Sequence, residues 1–167
     1  MYIGKLNDDL AVAGSFDIAN KKATLLETGE DKVSFTTMKD VGRLLVAALH
    51  TPFTPTSSSN PNERILKVNS FTTTPSTIVA EFESQTNSKW NVNYTPLEEV
   101  KKREKEAWEN KSPVATLFTL RRIWAEGGTL YDERDNGKIG EPETETLEEQ
   151  VAKAVLQENS RFQSAAL

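Results

Sequence analysis

The sequence predicts an α/β fold, a short parallel sheet with flanking helices, and three observations predict it. Residues 32–52, KVSFTTMKDVGRLLVAALHTP, run from a short apolar strand straight into a capped amphipathic helix. After a proline- and serine-rich connection the pattern returns, as ILKV at 65–68 followed by a helix that opens at Thr74. Trp90, Val92 and Tyr94 then alternate with polar neighbours before further helical stretches. Strands that alternate with helices suit a parallel sheet, because parallel neighbours need crossover connections and those connections cover the faces of the sheet.

Taken in order, residues 1–17 carry no clear period, and Asn7, Asp8 and Asp9 interrupt the apolar residues, so 1–15 are expected to be poorly ordered. FDIANKKATLL at 16–26 places two short apolar pieces around Asn20 and Lys21, which predicts a hairpin or a pair of edge strands. Residues 29–31 then turn the chain into the strand of Val33 and Phe35. Thr37 stands at the N-cap of the following helix, with Asp40 placed to reach back to the Thr37 N–H as a capping box. Val41, Leu44, Leu45, Ala48 and Leu49 fall on one stripe, expected to face the sheet, and the helix stops before Pro52.

Residues 51–62 are a surface connection, and strand is expected again at 65–68. Thr74 caps the next helix with Pro75 at its first position, and Ile78, Val79 and Phe82 form its inner face. SFTT occurs at 34–37 and at 70–73. The first copy is expected partly in a strand and the second wholly after one, which argues against an internal repeat. Trp90, Val92 and Tyr94 predict an edge strand with one buried face. Thr95, Pro96 and Glu98 open a helix to about residue 110, with Leu97, Val100, Ala107 and Trp108 inward. Ser112 and Pro113 open the next in the same way. There Val114, Leu117, Phe118, Arg121 and Trp124 share a face, and Gly127 and Gly128 end the helix. After a polar loop at 129–144, Thr146 and Glu149 cap a last helix presenting Leu147, Val151, Ala154 and Val155, with 159–167 expected to fray.

Composition bounds the function. The 167 residues suit one domain, 1–167, able to bury about 70% of its unfolded surface without a metal or disulfide. The absence of cysteine excludes thiol chemistry. The single histidine, His50, excludes a two-histidine zinc site and reads as a helix C-terminal residue meeting the dipole. The longest apolar run, 44–49, is far short of the ~20 residues of a membrane span, and no secretory signal is legible, so no membrane partner and a cytoplasmic location are expected. A net charge of -5 argues against nucleic acid as a partner.

No glycine-rich strand-to-helix turn is present, since Gly137 and Gly140 follow no strand, and none of Tyr2, Tyr94 and Tyr131 has a lysine four residues on. No catalytic, cofactor-binding or metal-ligating residue is therefore assigned. EEVKKREKE at 98–106 balances acids against bases, with Glu98–Lys102 and Glu99–Arg103 in the favourable order, and reads as a solvated helix face. Glu141, Glu143, Glu145, Glu148 and Glu149 read as carboxylates stabilised by a helix N-terminus. Trp108, Phe118, Trp124 and Tyr131 read first as core, with an aromatic pocket as the alternative.

Three segments in this order, VSFTTMKDVGRLLVAALHTP, ILKVNSFTTTPSTIVAEFE and LFTLRRIWAEGGTLYDERDN, resemble the NmrA-like family, in its fungal branch related to isoflavone reductases. The resemblance covers residues 16–156. It implies the C-terminal portion of a Rossmann-like NmrA-type fold: an atypical short-chain dehydrogenase without its N-terminal glycine-rich dinucleotide-binding half, with a helical substrate-side region. NADP is the cofactor the resemblance implies, yet the positions that would hold it belong to that other half, so none is expected to bind this chain alone. Phe118, Trp124 and Tyr131 are the residues implied for a substrate wall. The implied function is an NADPH-dependent oxidoreductase of secondary metabolism acting on a polyketide or phenolic small molecule, truncated here. The alternatives are an NADP-sensing regulatory module and an inactive remnant.

Overall fold

The computed structural model describes residues 8–56 and 60–165. A helical turn, α1 (Asp8–Ala11), leads into β1 (Ser15–Asp17), β2 (Lys22–Leu26), β3 (Val33–Phe35), α2 (Met38–His50), β4 (Phe71–Thr73) and α3 (Pro75–Thr86). These are followed by β5 (Asn91–Thr95), α4 (Leu97–Glu109), α5 (Ala115–Ala125), a 3-10 turn at Asn136–Ile139 and α6 (Leu147–Ala165). The chain is mixed α/β. The expected parallel sheet is reduced to one parallel pair, β2 with β5, flanked by β1 antiparallel to β2. A separate antiparallel ribbon joins β3 to β4.

The hairpin expected at 16–26 forms as β1 and β2. Asp17 accepts the Asn20 N–H at 3.1 Å, and Lys21 takes a left-handed φ of 52°, so a short polar turn reverses the chain. The two SFTT copies require a correction. The second does not lie beyond a strand: its last three residues are β4, which pairs with the strand of the first, Phe35 opposite Phe71 and Ser34 opposite Thr72. The strand expected at 65–68 does not form. Its ladder is replaced by residues 135 and 136: the Lys67 and Asp135 backbones bond each other through Asp135 N–H and its carboxylate, and the Asn136 amide bonds both polar groups of Asn69. Side chains there satisfy a backbone that a neighbouring strand would otherwise have paired.

Thr37 and Thr74 cap α2 and α3, accepting N–H groups at 3.2 and 3.1 Å, and Thr146 with Glu149 forms a reciprocal capping box on α6. Thr95 and Ser112 are not caps. Pro96 is the cap position of α4, and the first helical N–H, at Leu97, is taken by the Glu27 carboxylate from the end of β2. Ser112 lies too early for α5, which begins at Ala115 without a side-chain cap. Gly127, at φ +77°, ends α5 as expected. α6 runs past residue 159 to Ala165, whereas residues 1–7 and 166–167, part of the segments expected to be poorly ordered, lie outside the described residues.

The main core joins Phe16, Ala23, Leu25, Val33 and Phe35 of the strands to Ile78, Val79 and Phe82 of α3 and Val151 of α6. Phe82 stacks on Trp90 at 4.7 Å. A second core lies between α4 and α5, around Val100, Ala107, Ala115 and Phe118. Two apolar positions depart from expectation here: Trp108 is exposed, its indole N–H donating to Thr119 at 3.0 Å, and Tyr94 points outward from the edge strand. The larger correction is in α2. Of its apolar stripe only Leu44 is buried, at 2% exposure, while Leu45 is 58% and Leu49 74% exposed. The helix is turned so that Asp40, not a second leucine, shares its inner face with Leu44.

Candidate functional site

An apolar cavity of about 50 Å3 lies between the strand ends and α5. Phe16 of β1, Leu25 of β2 and Val33 of β3 form its floor, Pro75 opens α3 at its side, and Trp124 of α5 closes it. Gly14, at φ +90°, lets the chain turn from α1 into β1 along the rim. Two charged residues line the space, Arg121 and Asp31. Arg121 and Trp124 stand three residues apart on one helix face, so the guanidinium lies over the indole, 4.5 Å from the ring centroid. Trp124 is in turn held edge-on to Phe35 at 5.7 Å. Arg121 is half-buried, and burial draws its pKa down to about 10, so it stays a cation at neutral pH.

Of the three residues expected on a substrate wall, Trp124 lines this cavity. Phe118 packs instead in the α4–α5 core, and Tyr131 sits beside β3, its backbone N–H donating to the Ser34 hydroxyl at 3.1 Å. The structure therefore does not bring the three together. Arg121 was placed on the right face by helical spacing, but only its position over an aromatic ring and beside a void marks it as a site residue. The legible signal was an arginine three residues before a tryptophan on an otherwise apolar face.

A polar cluster at the start of α2 was not legible. Asp40 is fully buried, and its Oδ2 accepts the Ser70 hydroxyl at 2.6 Å and the Glu145 N–H at 2.8 Å. Thr37 donates its hydroxyl to Glu145 at 2.6 Å, and the other Glu145 oxygen pairs with Lys153. The Lys153 ammonium, followed by the Thr37 hydroxyl, holds the Glu145 carboxyl below its ordinary range. Glu145, one of the carboxylates expected to be stabilised by a helix N-terminus, is buried and meets the N-terminus of α2 through Thr37. A cleft of about 280 Å3 opens beside it, lined by Thr37, Lys39, Phe71, Gln150 and Lys153. A carboxylate kept ionised by its ammonium partner has no proton to give at neutral pH, which suits a latch between α2 and α6 better than acid catalysis.

Among the described residues no group of three His, Cys, Asp or Glu side chains could hold a metal ion. α2 and α3 begin at threonine caps and α4 at a proline, without the glycines that let backbone N–H groups approach a pyrophosphate, and Glu145 sets a negative charge at the start of α2. No step of a hydride transfer is assigned to these residues. Comparison with models of known protein families gave no match, and comparison with curated proteins gave none either.

Proposed function

We propose that these residues are the substrate-side portion of an NmrA-type, NADPH-dependent oxidoreductase, acting on a small polyketide or phenolic molecule, whose glycine-rich dinucleotide-binding half lies in sequence outside them. The observation that carries the reading is the uncovered face of α2. Met38, Val41, Leu45 and Leu49 follow one another along the helix, all at least half exposed, opposite a face that is properly buried. An apolar stripe of that length on an ordered amphipathic helix is a layer in want of another layer. The parallel β2–β5 pair supports the same reading, because parallel strands belong to sheets covered by helices on both faces.

The test compares the 167-residue chain with a version extended by upstream coding sequence for a strand, a glycine-rich turn and a helix. Calorimetry is expected to show no saturable NADPH binding by the chain as it stands at micromolar concentration. The extended protein is expected to bind NADPH and to oxidise it with a phenolic or polyketide substrate. Binding without turnover would favour the NADP-sensing module, and no binding by the extended protein would remove the oxidoreductase reading.

A further inference from the structure

We propose that the cavity beneath α5 binds a small monocarboxylate, its acid group meeting the Arg121 guanidinium and its hydrocarbon part entering between Phe16, Leu25, Val33 and Trp124. The inference rests on the cavity alone and goes beyond the oxidoreductase reading, since it holds whether the protein is an enzyme, a sensor or neither.

Arg121 is set apart from the other arginines. Arg43, Arg103, Arg122, Arg134 and Arg161 each pair with a carboxylate, and Arg64 donates to the backbone carbonyls of Ala48 and Thr51. The contrast is sharpest with its neighbour: Arg122 bonds Glu104 at 2.6 Å and Glu126 at 2.7 Å, whereas the donors of Arg121 meet no acceptor among the described residues. A half-buried cation costs desolvation that the ring face beneath it only partly offsets. Its planar fork of N–H groups matches a carboxylate in bidentate geometry.

The rest of the lining defines the class. The walls are aliphatic and aromatic, as in small-molecule sites where a few polar groups fix orientation. The space admits a few non-hydrogen atoms, enough for the edge of a ring or a short chain. Asp31 shares the lining, so a second negative charge on the ligand would meet a like charge. One cation, apolar walls and one nearby carboxylate favour a monoanion with a hydrocarbon body over phosphate.

The probes are benzoate, its uncharged isostere benzamide, and inorganic phosphate, titrated into the 167-residue chain by calorimetry while the Trp124 indole N–H resonance is followed by NMR. Benzoate is expected to bind one to one and to shift that resonance, with benzamide and phosphate at least tenfold weaker. Arg121→Gln is expected to abolish the preference for benzoate over benzamide. Asp31→Asn, a change at an exposed position that leaves the core alone, is expected to tighten benzoate binding at low salt. Equal binding of benzoate and benzamide, tighter binding of phosphate, or no benzoate binding at all would overturn the proposal.

Discussion

The Ser70 hydroxyl donates to Asp40 Oδ2 at 2.6 Å, while its own Oγ accepts the Thr37 backbone N–H at 3.0 Å. A serine just before β4 thereby relays the capping box of α2, taking the N–H that Asp40 was expected to reach directly. Asp40 is left free to accept the Glu145 N–H as well, so one buried carboxylate ties α2 to β4 and to the entry of α6. Ser70→Ala leaves the Thr37 N–H without its partner and removes a donor from a buried carboxylate. A loss of about 1–3 kcal/mol is expected, read as a lower urea midpoint. An unchanged midpoint would show that the relay contributes nothing to stability.

The two neighbouring leucines of α2 should behave oppositely. Leu44 is buried and Leu45 largely exposed, so Leu44→Ala should cost about 2–5 kcal/mol from lost burial and the cavity left behind. Leu45→Ala should stay within about 0.5 kcal/mol in this chain. Denaturant titrations of both variants decide it; comparable losses would mean that the α2 stripe is covered after all.

Asn136 stands in for a strand. Its side chain accepts the Asn69 N–H at 3.2 Å and donates to the Asn69 carbonyl at 2.9 Å, with both residues buried. Asn136→Ala strands both backbone groups, at about 1–3 kcal/mol for each. Asn136→Asp keeps the shape but loses the N–H donor, so it too should be destabilised. Amide hydrogen exchange at Asn69 is the direct readout, with faster exchange expected in the alanine variant.

The ion pair between Glu104 of α4 and Arg122 of α5 sets an acid limit. Arg122, followed by Thr119, holds the Glu104 carboxyl below its unfolded value of 4.5. A carboxyl whose pKa is lowered by folding releases its proton more readily in the folded state. Its contribution is therefore complete above about pH 4.5 and fades as pH falls toward and through the lower folded value. Thermal midpoints of the protein and of Glu104→Gln should differ at pH 7 and converge as the pH falls below 4.5 and through the lowered folded value. A gap that persists in acid would locate the stabilisation in packing rather than charge.

The caps of α2, α3 and α6, the hairpin at Asn20 and Lys21 and the inner face of α3 were legible in the sequence because they depend on residues within one turn of each other. Ile78, Val79 and Phe82 are buried wherever an amphipathic helix finds a sheet, and Thr74 with Pro75 starts that helix whatever lies beside it. What depended on distant partners was not legible. The stripe on α2 is amphipathic on either of two rotations, and only the pull of Ser70 and Glu145 on Asp40 turns Leu44 inward and Leu45 out. The short apolar run at 65–68 would suit a strand, yet Asp135 and Asn136 bond the backbones of Lys67 and Asn69, and the ladder forms at Phe71 instead. Local sequence determines which residues can start, cap and line an element. Whether Trp124 and Arg121 face a cavity, or Phe118 a core, is decided by neighbours that arrive from across the fold, because burial and hydrogen-bond satisfaction are properties of the whole packing and not of the spacing along one helix.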